Sequence, residues 1–177
     1  MPDPAWLPAL VRMEEYDGDW NRYVGAVYAV FRRDFVENPP RFRGNPVRVG
    51  KQLIDGRERT FWHLTSEGEI ESRRTPDLRR CERIAWLRPL IEHENDPSVL
   101  RWPNRRGRGQ RHVLWLKEKD FVVILEKRAG SWWLWTAYRT DRPHTRQKLQ
   151  EEYEGWRKAN AAPCDGHGVR TPSTDGG

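Results

Sequence analysis

Two cysteines, Cys81 and Cys164, are all that the sequence offers for thiol chemistry. That count excludes a disulfide-held scaffold and suits a reducing compartment. Long apolar runs are missing too: no stretch approaches the roughly 18 residues that a membrane-crossing helix needs. Pro2, Asp3 and Pro4 stand where a secretion signal would carry its basic start. A cytoplasmic location with no membrane partner is therefore expected. Repeats, low-complexity segments, a Walker loop, a dinucleotide-binding glycine fingerprint and a nucleophile elbow are absent. Metal-ligand clusters are lacking as well, since Cys164 and His167 make a single Cys-x2-His pair. No metal or cofactor is expected.

What is present is charge and tryptophan. Charged residues make up 33% of the 177-residue chain and hydrophobic ones 36%, a low share that ten Trp offset through their large buried area. The length suits one domain with its own core. A formal net charge of +6 favours a polyanionic partner, nucleic acid first.

The most legible stretch runs from His112 to Trp156. Arg111, Val113, Trp115 and Lys117 alternate with His112, Leu114 and Leu116, the period of a strand. Phe121 to Leu125 is apolar on both sides, as in a central strand. In the third run Trp132, Leu134, Thr136 and Tyr138 share one face, and Trp133, Trp135, Ala137 and Arg139 the other. Short polar links leave room for hairpins, so the expectation is an antiparallel meander. A helix follows, with Asp141 as its cap, Pro143 in its first turn, and Leu149, Tyr153 and Trp156 as the stripe that covers the sheet.

Upstream, residues 3–13 predict a short helix interrupted at Pro8. A stronger helix begins at Asp19, with Trp20, Val24, Val27, Phe31 and Phe35 inward and Arg32, Arg33 and Asp34 turned away, until Asn38-Pro39-Pro40 stops it. A short basic strand within 41–51, a turn at Asp55-Gly56 and a strand over Thr60–Thr65 come next. Thr75-Pro76 opens a helix to about Leu87, with Leu78, Cys81 and Ala85 inward and Arg79 and Arg83 one turn apart. The arginine-rich, glycine-containing run 101–111 reads as a mobile loop. The resulting architecture is α+β: N-terminal helices on a curved antiparallel sheet, with a C-terminal covering helix. Residues 1–15 form an N-terminal segment, 16–160 the domain, and 161–177 a tail of disordered composition.

Among five histidines, His63 is the most suggestive, because Phe61 and Trp62 flank it. His144 sits in the first turn of a predicted helix, while His112 and His93 read as packing and surface residues. Thr136 and Tyr138 place two hydroxyls on one face of a strand. Arg79, Arg83 and Lys117 could meet phosphate, and Arg101, Arg105, Arg106, Arg108 and Arg111 could track a nucleic-acid backbone.

The segments FWHLTSEGE, RTPDLRRCERIAW, VLWLKEKDFVVILEKR and WWLWTAYRTDRPHTRQKLQEEYE, within residues 45–157, resemble the phage-associated branch of the barnase-EndoU-colicin-RelE ribonuclease-like superfamily. The resemblance implies a metal-independent endoribonuclease, often a toxin or phage-encoded effector, with RNA as substrate and an antitoxin or immunity protein as a further partner. It assigns the catalytic His role to His63, the sheet hydroxyls to Thr136 and Tyr138, and the basic role to Arg83 or Lys117. A second histidine would be His144 or His112. Cleavage would then be transesterification by the ribose 2′-OH, with His63 as base and His144 as acid. A non-catalytic nucleic-acid-binding module, and an interaction protein on the same scaffold, are the alternative functions.

Overall fold

Asp19 opens the first helix as the sequence predicts, its carboxylate accepting the Arg22 backbone N–H at 3.0 Å. Helix α1 (Trp20–Phe31) buries Tyr23, Val24, Val27 and Phe31. It widens into a π-helical stretch over Arg32–Glu37, and this change of pitch turns Asp34 inward. Asp34 was expected to face away; it is 3% exposed and pairs with Arg33 at 2.7 Å. The expected helix over residues 3–13 does not form, and the chain there reaches a 3-10 turn at Met13–Tyr16. Its Trp6, Leu7, Leu10 and Val11 still pack on the core.

In this computed structural model, which describes residues 3–68, 74–106 and 109–161, two small hairpins follow. The first joins β1 (Arg41–Phe42) to β2 (Asn45–Arg48). The second joins β3 (Leu53–Ile54) to β4 (Arg57–Glu58) through Asp55 and Gly56, at φ 49° and 74°. Positive φ at both central residues is what an Asp-Gly hairpin turn requires.

The expected strand over Thr60–Thr65 is instead helix α2 (Arg59–Thr65). Phe61, Leu64 and Thr65 are buried at helical spacing, and the Thr65 hydroxyl donates to the Phe61 carbonyl at 2.9 Å. Aromatic and β-branched residues gave the segment a strand's composition, and seven residues are too few to show a helical period. Next, β5 (Ser66–Glu67) pairs with β6 (Thr75–Pro76), so the next helix starts later than expected. Asp77 caps α3 (Leu78–Glu82), accepting from the Arg79 and Arg80 N–H groups at 2.9 and 3.3 Å. A 3-10 turn at Ile84–Trp86 separates it from α4 (Leu87–Glu92).

The remaining strands are β7 (Val99–Arg106), β8 (Gly109–Leu116), β9 (Phe121–Arg128) and β10 (Ser131–Arg139), closed by α5 (Pro143–Ala159). The predicted meander is β8-β9-β10, antiparallel throughout. Two corrections apply to the sheet. The arginine run 101–111 is no loop: its described residues form a ladder from Val99 opposite Leu116 to Arg106 opposite Gly109. Trp102 opposite Val113 carries the apolar pairing into the basic segment, and the edge position of β7 tolerates Pro103. The sheet is also mixed, because β2 lies parallel to β10, giving the order β1-β2-β10-β9-β8-β7.

The curled six-stranded sheet separates two cores, and the architecture is the α+β class expected. On the inner face, α1, α2 and α4 meet Val47, Leu114, Leu116, Val123, Leu125, Trp132 and Leu134. On the outer face, Leu149, Tyr153 and Trp156 of α5 cover Trp102, Val113, Trp115 and Val122. No helix among the described residues is long and apolar enough to cross a membrane. The tail from 162 onward, with Cys164 and His167, lies outside the described residues.

Candidate nucleic-acid interface

A bulge in β10 decides what faces solvent. Its register with β9 shifts between Leu134 and Thr136, leaving Trp135 as the extra residue. Beyond it the alternation inverts: Ala137 joins Trp132 and Leu134 in the inner core, and Thr136 and Tyr138 turn outward opposite Ile124 and Val122. Thr136 and Tyr138 do share a face, as expected, but it is not the face of Trp132 and Leu134. No residue type in W-L-W-T-A-Y announces the extra residue.

The bulge presents Trp135 at 37% exposure, beside half-buried Trp133. Arg111 lies 4.2 Å and Arg128 5.4 Å from the Trp135 ring centre, and Arg128 also lies 5.6 Å from that of Trp133. Glu126 holds both cations, accepting from Arg111 Nε at 3.3 Å and Arg128 Nε at 2.6 Å. The cross-strand pairings Arg111–Glu126 and Glu126–Trp133 put this array in one row of the outer face. Each guanidinium–indole contact is worth about 0.5–1 kcal/mol when exposed. The cluster is therefore ordered, yet weak enough to rearrange.

Beside it, where β2 ends and leaves the β10 edge to α2, a cavity of about 310 Å³ opens. Arg59, Thr60, His63, Arg128, Trp133 and Trp135 line it together with Gly50 and Gln52, and no carboxylate is among the described lining. The Thr60 hydroxyl accepts the Gly50 N–H at 3.2 Å, which fixes the start of α2 against the loop after β2. His63 is half-buried on the wall of this cavity, open to solvent rather than sealed beneath tryptophan.

The other candidates lie elsewhere. Arg83, stacked on Trp86 at 5.1 Å, donates to the Arg79 carbonyl at 2.8 Å near the opposite end of β10. Burial, then Arg139, push its pKa below the ordinary arginine value. Lys117, in a 3-10 turn after β8, lies 5.8 Å from the Trp115 ring centre. Tyr138 packs under α5, and His144 is exposed with a ring nitrogen 3.3 Å from the Thr145 hydroxyl. The predicted constellation of His63 with Arg83, Lys117, Thr136, Tyr138 and His144 does not line one cavity. The helical course of α2 directs His63 to the Trp133–Trp135 end of β10, while Arg83 and Tyr138 belong to the Arg139 end.

His112 is a core residue, 3% exposed, with its Nε2 3.1 Å from Arg43. Burial, reinforced by Arg43 and Arg101, pushes its pKa down to about 3, so the ring is neutral and accepts from the guanidinium. His93 is on the surface, stacked on Trp6 at 4.8 Å. Of the proposed backbone-tracking arginines, Arg101 donates to the Glu94 carbonyl at 2.6 Å and Arg105 is exposed on the edge strand. Arg111 joins the tryptophan array, and Arg79 is exposed near Asp141 at 3.7 Å. The Arg106 side chain and Arg108 lie outside the described residues. Asp141 does not cap α5, whose N-cap is Arg142; it pairs with Arg139 at 3.1 Å instead.

Sequence reasoning missed Arg59, Arg128, Trp133 and Trp135. Their signal was partly present, as Trp133 and Trp135 on one predicted strand face with Arg128 on the neighbouring strand, but the reading of Thr60–Thr65 as a strand hid the approach of Arg59 on α2. Compared with known proteins, the chain matches no family model, no curated protein and no solved structure.

Proposed function

We propose that this protein binds single-stranded RNA through the open half of its outer sheet face. The observation that carries this is the Arg111–Trp135–Arg128–Trp133 array adjoining a cavity lined by Arg59 and His63, with no carboxylate among its described lining. Indole faces stack bases without regard to sequence, and guanidiniums meet the phosphates between them. The cavity is large enough for one base. Arg128, with nearly half its side chain exposed (47%), swings from the indoles to a phosphate as a base takes its place. Duplex RNA is a poor fit, because its stacked bases do not present their faces.

The test is fluorescence anisotropy with a labelled single-stranded RNA over a salt series. Affinity falls with salt for the wild type, and Trp135→Ala weakens it by about 1–3 kcal/mol, roughly 5- to 150-fold, with an unchanged circular dichroism spectrum. Equal affinity of Trp135→Ala and wild type would refute the proposal.

Cleavage is the second function, favoured by His63 standing on the cavity wall with two arginines. In that case His63 takes the 2′-OH proton, the 2′-oxygen bonds to phosphorus and the 5′-oxygen departs with a proton from water, leaving a 2′,3′-cyclic phosphate, while Arg59 and Arg128 stabilise the phosphorane-like charge. These arginines replace Arg83 and Lys117 in the basic role. Incubation of purified protein with labelled RNA in EDTA decides it. Wild type yields fragments and His63→Ala leaves RNA intact while still binding it; intact RNA with wild type removes catalysis and leaves binding.

A further inference from the structure

At the far end of β10 lies a second, larger cavity of about 1000 Å³, bounded by the β5–β6 hairpin, α3 and the start of α5. Its described lining holds five arginines, Arg74, Arg79, Arg80, Arg139 and Arg142, against Glu67, Asp77 and Asp141. Asp77 is committed: it caps α3 and pairs with Arg80 at 3.3 Å. Asp141 is shared, 3.1 Å from Arg139 and 3.7 Å from Arg79. Buried Arg139 Nε has no hydrogen-bond partner among the described residues. Arg83 adjoins the same group, and its charge is disfavoured by burial and then by Arg139 and Arg79. Guanidiniums are thus crowded together, with one carboxylate standing between two of them.

We propose that this cleft binds a phosphate monoester, the dianion contacting Arg79, Arg139 and Arg142, with Asp141 as the built-in competitor it must outbid. Among the described lining residues the two excess positive charges match a monoester dianion better than a single-charged diester. Arginine forks suit phosphate oxygens, and Thr145 is part of the lining. The ester's source is either a free small phosphate or the 5′ end of an RNA. The site stands apart from the Trp135 array and does not rest on RNA binding there.

Titration calorimetry on the full chain, with sodium phosphate against sodium chloride at matched pH and ionic strength, tests it. Phosphate binds saturably and chloride does not; Arg142→Gln and Arg79→Gln each weaken phosphate roughly 5-fold or more. Asp141→Asn tightens it roughly 3- to 10-fold by removing a like charge. Both Arg79, whose side chain is 66% exposed, and Arg142 at the surface can be replaced without opening the core. Equal heats from both salts, or weaker phosphate binding by Asp141→Asn in a protein with unchanged melting behaviour, would overturn the proposal. A second arm compares 5′-phosphorylated with 5′-hydroxyl RNA in the Trp135→Ala background. A preference for the phosphorylated end that Arg142→Gln abolishes identifies the RNA terminus as the source. Equal RNA affinities alongside a retained phosphate response identify a free phosphate.

Discussion

Trp115 and Trp135 both project from the outer face of the sheet, yet one is buried and the other exposed. Trp115 is fully buried beneath α5, its Nε1 donating to the Thr140 hydroxyl at 3.0 Å and its ring edge-on to Trp102. Trp135 lies on the half that α5 does not reach; cations approach both rings, Lys117 and Arg146 at Trp115 and Arg111 and Arg128 at Trp135, but only Trp135 has a face left to solvent. The same residue type stabilises the fold in one half and makes a surface in the other. Coverage by a single helix makes the difference, together with the bulge that pushes Trp135 out of register.

The comparison breaks most visibly in denaturant. Trp115→Ala is expected to cost about 3–5 kcal/mol by chemical denaturation, as for a large core ring, whereas Trp135→Ala changes stability by less than about 1 kcal/mol. Similar losses for both would show that the outer face is one continuous core.

The inner face offers a pH test of comparable size. The folded pKa of His112, about 3, lies below its ordinary 6.5, so on acidification the unfolded chain takes the proton first. Stability is therefore lost as pH falls from about 6.5 towards 3, by on the order of 4 kcal/mol in total. His112→Gln flattens the slope of unfolding free energy against pH across that window, measured by urea melts in a buffer series. An unchanged slope would assign the acid sensitivity to other groups.

Between these effects and the RNA affinity change expected for Trp135→Ala stands α5 itself. Leu149→Ala removes the buried centre of its contact with Trp115 and Val122, costing about 2–4 kcal/mol in thermal or urea melts. It leaves the Trp133 and Trp135 platform in place. The smallest effect is expected at the α3 cap, where Asp77→Ala costs about 1 kcal/mol. A much larger loss there would mean that the Arg80–Asp77 pair holds the arginine-lined cleft together.

Much of the frame was legible in the residues themselves. Strand alternation around Val113 and Trp115, the uninterrupted Phe121–Leu125 run and the Leu149–Tyr153–Trp156 stripe marked three elements and their order, because local periodicity follows from which side must be buried. Asp19 and the Asp55-Gly56 turn were equally local, resting on capping and positive φ. Composition likewise carried the net positive charge that favours a polyanion and the tryptophans that offset a low hydrophobic share.

Tertiary structure decided the rest. Thr60–Thr65 became a helix because docking on Phe31 and the β10 edge outweighed strand propensity in a segment too short to have a period of its own. The bulge at Trp135 reversed the faces of Thr136, Ala137 and Tyr138, a slip that costs one residue and appears in no local pattern. The parallel pairing of β2 with β10 stops at Trp133, and that early end opens the edge where Arg59, His63 and Arg128 meet. Residue types set which chemistry the chain could carry; long-range packing determined which of those groups became neighbours, because contacts across many residues leave no local trace in the sequence.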